Sequence, residues 1–142
     1  RTLRECSAGD IYIGAQRVTG AIGLIAELGD EKGTIGFCAP AEGGFTFHSR
    51  GNADAKLLIV GHTWIEVDES SITTPYQRDY RPGMIALVGQ TPRIICNRGY
   101  ATIAVSLDGA TTSEPSADFL FEHWRVMTGS KECPMQLYST EE

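Results

Sequence analysis

His62, Trp64 and Glu66 are the residues whose types and spacing come nearest to a chemical site in this chain. They alternate along Gly61–Val67, so on a β-strand they share one face while Thr63, Ile65 and Val67 take the other. At ~3.3 Å per residue, His62 and Glu66 stand roughly 13 Å apart, too far to touch. They would flank a groove floored by Trp64. A histidine, an indole and a carboxylate on one face supply a titratable base, a stacking surface and a hydrogen-bond acceptor. The ordinary alternative is a half-exposed strand face with an aromatic cross-strand contact.

A strand-borne histidine followed by Trp and Glu resembles the histidine segment of transglutaminase-like cysteine hydrolases. The resemblance covers this short segment, and it implies a cysteine nucleophile upstream and an aspartate downstream. Cys38 and Asp79 occupy those places. Cys38 follows an apparent strand and precedes Ala39-Pro40, whereas the family sets its cysteine at a helix start. A small hydrolase or transferase using Cys38 and His62 is therefore the enzymatic alternative, and a disulfide at Cys38 would remove its nucleophile.

Other chemistries find little purchase. His48, His62 and His123 are the histidines, and each falls on a different element. His48 and His62 could meet across two strands with Glu66 or Asp68 as a third ligand, but no HxH or HExxH spacing supports a metal site, and none is expected. There is no Gly-x-Ser-x-Gly for serine catalysis, no P-loop and no GxGxxG, so no cofactor is expected. Glu66 and Asp68 form an i, i+2 carboxylate pair, which is commonplace on a solvated strand face.

Binding is the stronger expectation. Thr73–Pro82 lacks periodicity and concentrates Tyr76, Arg78, Tyr80 and Arg81. Aromatic and arginine side chains dominate interface hot spots, and loops of this length often carry function. The chain reads as a non-enzymatic binding module, of the inhibitor, immunity or assembly-subunit kind. It would present this loop and the His62/Trp64/Glu66 face to a protein or glycan. The net charge of −6, with no basic cluster, argues against nucleic acid and against anionic membrane surfaces. No apolar stretch approaches the ~20 residues a membrane helix needs; the longest is Leu57–Val60. Oligomeric state has no signature in the sequence.

Four cysteines, Cys6, Cys38, Cys96 and Cys133, lie far apart and lack CxxC spacing. An even, scattered set suits long-range disulfides in an exported protein. The expected bridges are Cys6–Cys38 and Cys96–Cys133, with a secreted or periplasmic location and any leader already removed.

These residues must be positioned by a single domain spanning residues 1–142. The chain has 42% apolar residues and 16 glycines scattered among short apolar runs, a pattern of many turns between short strands. Leu57–Asp68 alternates, with its first half apolar on both faces, as a covered central strand would be. Arg93–Cys96 and Tyr100–Asp108 form a hairpin across Asn97-Arg98-Gly99, with Gly99 in the left-handed position of a three-residue turn. Ser116 and Asp118 suit a helix start, and Leu120, Trp124 and Met127 follow at i, i+4 and i+7, predicting a C-terminal helix. Val18, Ala21, Ile22 and Ile25 suggest a second helix over Gln16–Leu28, despite Gly20 and Gly23. The expected fold is α+β and β-rich. It is an antiparallel sheet, a sandwich or a partly open barrel of about seven or eight strands, carrying the C-terminal helix and possibly the N-terminal one.

Overall fold

A computed structural model describes residues 2–14, 22–38, 43–49, 56–73, 80–112 and 117–140. Across these residues the chain folds as antiparallel β-sheets around a shared core. The first sheet contains β1 (Ile11–Gly14), β2 (Ile22–Leu28), β3 (Glu31–Gly36), β4 (Phe47–His48) and β5 (Leu57–Val60), in the order β4-β3-β2-β1-β5. β6 (Thr63–Val67) leaves for another sheet. The second sheet takes β7 (Ile72–Thr73), β8 (Ile85–Val88), β9 (Thr91–Arg98), β10 (Ala101–Ser106), β11 (Thr111–Thr112) and β12 (Phe119–Phe121), in the order β11-β10-β9-β8-β12-β7. The third is β14-β13-β6, with β13 (Trp124–Gly129) in the middle and β14 (Pro134–Ser139) at one edge. Isolated parallel bridges, Glu27–Ala110 and Thr46–Asn97, tie the first sheet to the second. Among the described residues the sheets do not close into a barrel.

Glycine chemistry sets the hairpin registers. Leu28↔Glu31, Val88↔Thr91 and Arg98↔Ala101 are the last pairs of three hairpins, each closed by a two-residue loop. In each loop the first residue is a glycine near φ +60°: Gly29, Gly89 and Gly99. A glycine alone at positive φ in the first loop position is the II′ hairpin turn, whose twist matches that of the strands.

The main core draws on all three sheets. Leu24, Ile35, Ile94 and Val105 are fully buried in it, and Phe37, Phe45, Trp124 and Tyr138 form an aromatic cluster that joins the third sheet to the first. Two smaller clusters cover outer faces. Tyr12, Ile25 and Leu57 lie in one, and Met84, Ala86, Ile95, Ala104 and Leu120 in the other.

Several expectations need correction. The predicted C-terminal helix does not form; its residues make β12 and β13. Trp124, Val126 and Thr128 are buried with Arg125 exposed between the first two, Met127 is buried on the opposite side of the strand, and Leu120 and Phe121 bury opposite faces into different clusters. Aromatic and β-branched residues favour that pleated setting, so the i, i+4, i+7 spacing was a coincidence of two strands. Among the described residues, helical structure is limited to 3-10 turns at Leu3–Glu5 and Glu69–Ser71. Over the described part of Gln16–Leu28, residues 22–28 form β2. Leu24 and Ala26 pack inward and Ile25 packs outward, and an apolar run buried on both faces satisfies either period. Residues 16–21 lie outside the described set. The long Leu57–Asp68 strand is two strands in different sheets, broken at Gly61-His62, where His62 adopts φ +52°. β5 is an edge strand, with Leu58 64% exposed, rather than a covered central one.

No disulfide joins the cysteines. The expected Cys96–Cys133 bridge would link a thiol sealed in the main core to one exposed in the β13–β14 turn. Cys6 packs with Leu3 and Tyr12 in an outer cluster, its thiol donating to the Thr2 carbonyl, and Cys38 sits half-buried beyond the end of β3. Burial pushes the Cys96 thiol pKa well above its ordinary value.

Candidate functional site

The third sheet sorts its side chains by the alternation that strands impose. Ile65 and Val67 of β6 pack against the main core, as do Trp124 and Val126 of β13. Trp64 and Glu66 therefore point to the other side. Cross-strand register sets Trp64 opposite Met127 and Glu66 opposite Arg125. Gln136 of β14 follows beside Met127, and Ser139 lies beside Arg125. The outer face thus has an apolar end, where Trp64 is half-exposed and Met127 is buried, and a polar end, Glu66 and Arg125.

The polar end is bonded in a fixed arrangement. The Trp64 indole N–H donates to Glu66 Oε2 at 2.9 Å. Arg125 donates from Nε at 3.1 Å and from Nη2 at 2.6 Å, both to Glu66 Oε1. The indole hydrogen bond, then the guanidinium, hold the Glu66 carboxyl below its ordinary pKa. Glu66 is thus an ionised, oriented acceptor rather than a proton donor at neutral pH.

A groove of about 480 Å³ opens at the Glu66–Arg125 end of this network; Glu66, Asp68, His123, Arg125, Gln136 and Ser139 line it together with Val67 and Trp124, and Trp64 is not among its walls. Its far wall is the Glu122-His123 crossover between β12 and β13. The crossover is pinned from below. The Asp68 backbone N–H donates to the His123 carbonyl at 2.9 Å, and the His123 N–H donates to Ser71 Oγ at 3.0 Å. The Asp68 carboxylate caps the short turn that follows β6, accepting from Ser70 N at 3.0 Å and Ser70 Oγ at 2.6 Å.

His123 also borders a second groove of about 560 Å³, shared with Cys38, Phe45, Met84 and Tyr138. Arg81 lies on its rim and pairs with Glu122 at 2.7 Å. The Trp124 indole donates to the Gly83 carbonyl at 2.7 Å behind it.

The structure brings together only part of the expected site. Trp64 and Glu66 share a face and touch. His62 does not continue their row: it is an exposed corner residue between sheets, and its neighbour Gly61 accepts from Thr128 Oγ1 at 3.0 Å at the far end of β13 from Trp124. Cys38 lines the second groove with His123, and His62 is not among that groove's walls. Tyr80 packs against the outer cluster of Met84 and Ala104 instead of standing free. Arg81 is exposed and ion-paired. Tyr76, Arg78 and Asp79 lie outside the described residues. His48 is exposed on β4, and among the described residues no group of three or more His, Cys, Asp or Glu is placed to hold a metal. No described helix is long and apolar enough to cross a membrane.

Sequence reasoning missed Arg125, Gln136 and Ser139. Arg125 was hidden by the helix reading of its segment. Its signal was the alternation Trp124-Arg125-Val126, with a charge between two inward apolar residues. Comparison with known proteins gives no match, whether to a family model, a curated protein or a solved structure.

Proposed function

We propose that this chain is a non-enzymatic binding module whose ligand surface is the outer face of β6, β13 and β14, with the adjoining groove at the Glu122-His123 crossover. The observation that carries this reading is the Trp64–Glu66–Arg125 network. It lines up an indole, a carboxylate and a guanidinium on the face of the sheet turned away from the core. Such pre-positioned groups lose little freedom on binding, which is how a small site gains affinity. The ligand is a protein or a glycan. Arg81, at the rim of the second groove, brings the described end of the Thr73–Pro82 segment to this surface.

The cysteine–histidine hydrolase draws less support, because Cys38 and His62 line different parts of the fold. Secretion or periplasmic export had its sequence support in long-range disulfides, and the thiols of the structure withdraw that support. The binding reading holds in either compartment.

The test is quantitative capture from the native source with immobilised wild type, Trp64→Ala, Arg125→Ala and a control, Tyr100→Ala, at the exposed β9–β10 turn. The expected result is a partner retained by wild type and Tyr100→Ala and lost by both face variants. Loss with Tyr100→Ala and retention with the face variants would move the site elsewhere.

A further inference from the structure

We infer that the outer face of β6, β13 and β14 binds a neutral pyranoside, with the sugar ring on Trp64 and its hydroxyl rim over the Glu66–Arg125 pair. The inference rests on the binding reading above and assigns its ligand class. Pyranosides carry apolar C–H faces and a polar hydroxyl rim. The sheet face carries the same division in the same order, with the half-exposed Trp64 at one end, opposite the buried Met127, and Glu66 and Arg125 at the other. Trp64 and Glu66 are i, i+2 neighbours, so their Cα atoms lie roughly 7 Å apart on one face. That spacing suits a single ring resting on the indole with its edge at the carboxylate.

Charge favours a neutral ligand. Glu66 is already compensated by Arg125, with contacts of 2.6 and 3.1 Å. The Asp68 carboxylate is turned to Ser70. An anionic ligand would approach two carboxylates, and a cationic one would compete with a guanidinium already in place. A hydroxyl needs neither sign. It can donate to a remaining lone pair of Glu66 and accept from a remaining N–H of Arg125 or from the exposed Gln136 amide. Arg125 holds the carboxylate in the donor-accepting state that this geometry uses.

The groove of about 480 Å³ adjoins the Glu66–Arg125 end of the face without Trp64 among its walls, and its size is within the usual span for a small-molecule site, so it would receive the part of the ligand beyond the ring on Trp64. A second sugar would continue from the Glu66–Arg125 pair toward Gln136 and Ser139.

The experiment is saturation-transfer NMR on the full chain with the methyl glycosides of glucose, galactose, mannose and N-acetylglucosamine. The methyl glycoside of sialic acid is the anionic arm. The expected result is transfer to the ring protons of at least one neutral glycoside. Trp64→Ala should abolish that signal and Glu66→Gln should weaken the affinity about tenfold, the loss of a charge-assisted hydrogen bond. Melting temperatures report that both variants fold, and Trp64→Phe restores part of the signal if the aromatic face matters. Transfer to the sialoside in preference would overturn the neutral-ligand argument. Transfer unaffected by both face variants would place the sugar elsewhere and overturn the proposal. No transfer to any neutral glycoside, alongside Trp64-dependent capture of a protein, would reject the sugar and keep the binding face. Absence of both would reject the two readings together.

Discussion

Trp124→Phe probes the inward and outward assignment of the third sheet, on which the site depends. The indole is 2% exposed and donates to the Gly83 carbonyl at 2.7 Å. Its ring meets Phe37 edge-on, with centroids 5.5 Å apart, and Phe45 at 5.8 Å. Replacement by phenyl leaves the Gly83 carbonyl without its donor and opens a small cavity in the aromatic cluster. Together these cost roughly 2–4 kcal/mol. For a domain of this length that is a fall in melting temperature of roughly 6–16 °C. Urea unfolding gives the free energy directly. Trp64→Phe is the paired control, because it loses a half-exposed hydrogen bond to Glu66 and costs under about 1 kcal/mol. The chain has two tryptophans, so iodide quenching separates them: Trp64 is quenched in the native state and Trp124 only after unfolding. Equal losses from the two variants, or a larger loss from Trp64→Phe, would refute the assignment of faces.

Other consequences are independent of the ligand. Gly23→Ala would bring a Cβ to 2.5 Å from the Tyr12 hydroxyl and into the Ile35 carbonyl, so it should destabilise by at least ~2 kcal/mol in a urea titration, whereas Gly61→Ala, with open space around it, should cost under ~1 kcal/mol. Thiol titration should find four reactive groups in denaturant; in the native state Cys133 should react fastest and Cys96 should stay protected, and fewer than four groups would contradict a disulfide-free fold. Glu66 and Asp108 have folded-state pKa values below their ordinary ones, set chiefly by the Trp64 indole and the Ser106 hydroxyl respectively. Their contribution to stability is therefore present above the unfolded carboxyl range near pH ~4 and is lost as pH falls through the lower folded values. Glu66→Gln should flatten the acid limb of melting temperature against pH, and an unchanged limb would contradict the network.

The sequence made part of this visible. Alternation placed Trp64 and Glu66 on one face, because a half-exposed strand keeps a strict period of two. The β9–β10 hairpin was legible from its glycine, but the expected three-residue turn Asn97-Arg98-Gly99 is a two-residue turn at Gly99-Tyr100, with strand pairing carried through Arg98. The second tooth of the site, Arg125, was not. Two short strands in tandem, Phe119–Phe121 and Trp124–Gly129, copied the spacing of a helical stripe, and periodicity over so few residues does not distinguish them. His62 was misplaced for a related reason. Gly61 inside an apolar–polar run marked a change of sheet, and the positive φ at His62 took its side chain out of the row. The cysteines misled because an even, scattered count is equally compatible with buried thiols. Cys96 is the clearest case, with Ile94 and Ile103 beside it in the main core.

The most direct measurement of the binding face uses the two indole N–H cross-peaks of nitrogen-15-labelled protein titrated with the methyl pyranosides. The face described here requires the Trp64 indole and the Arg125 Nε–H resonances to move together, with the Gln136 amide following, while the Trp124 indole, held against the Gly83 carbonyl, stays in place. Ligand-dependent shifts confined to other surfaces, such as the Tyr100 turn or the Leu58 edge, with Trp64 unmoved, would contradict it.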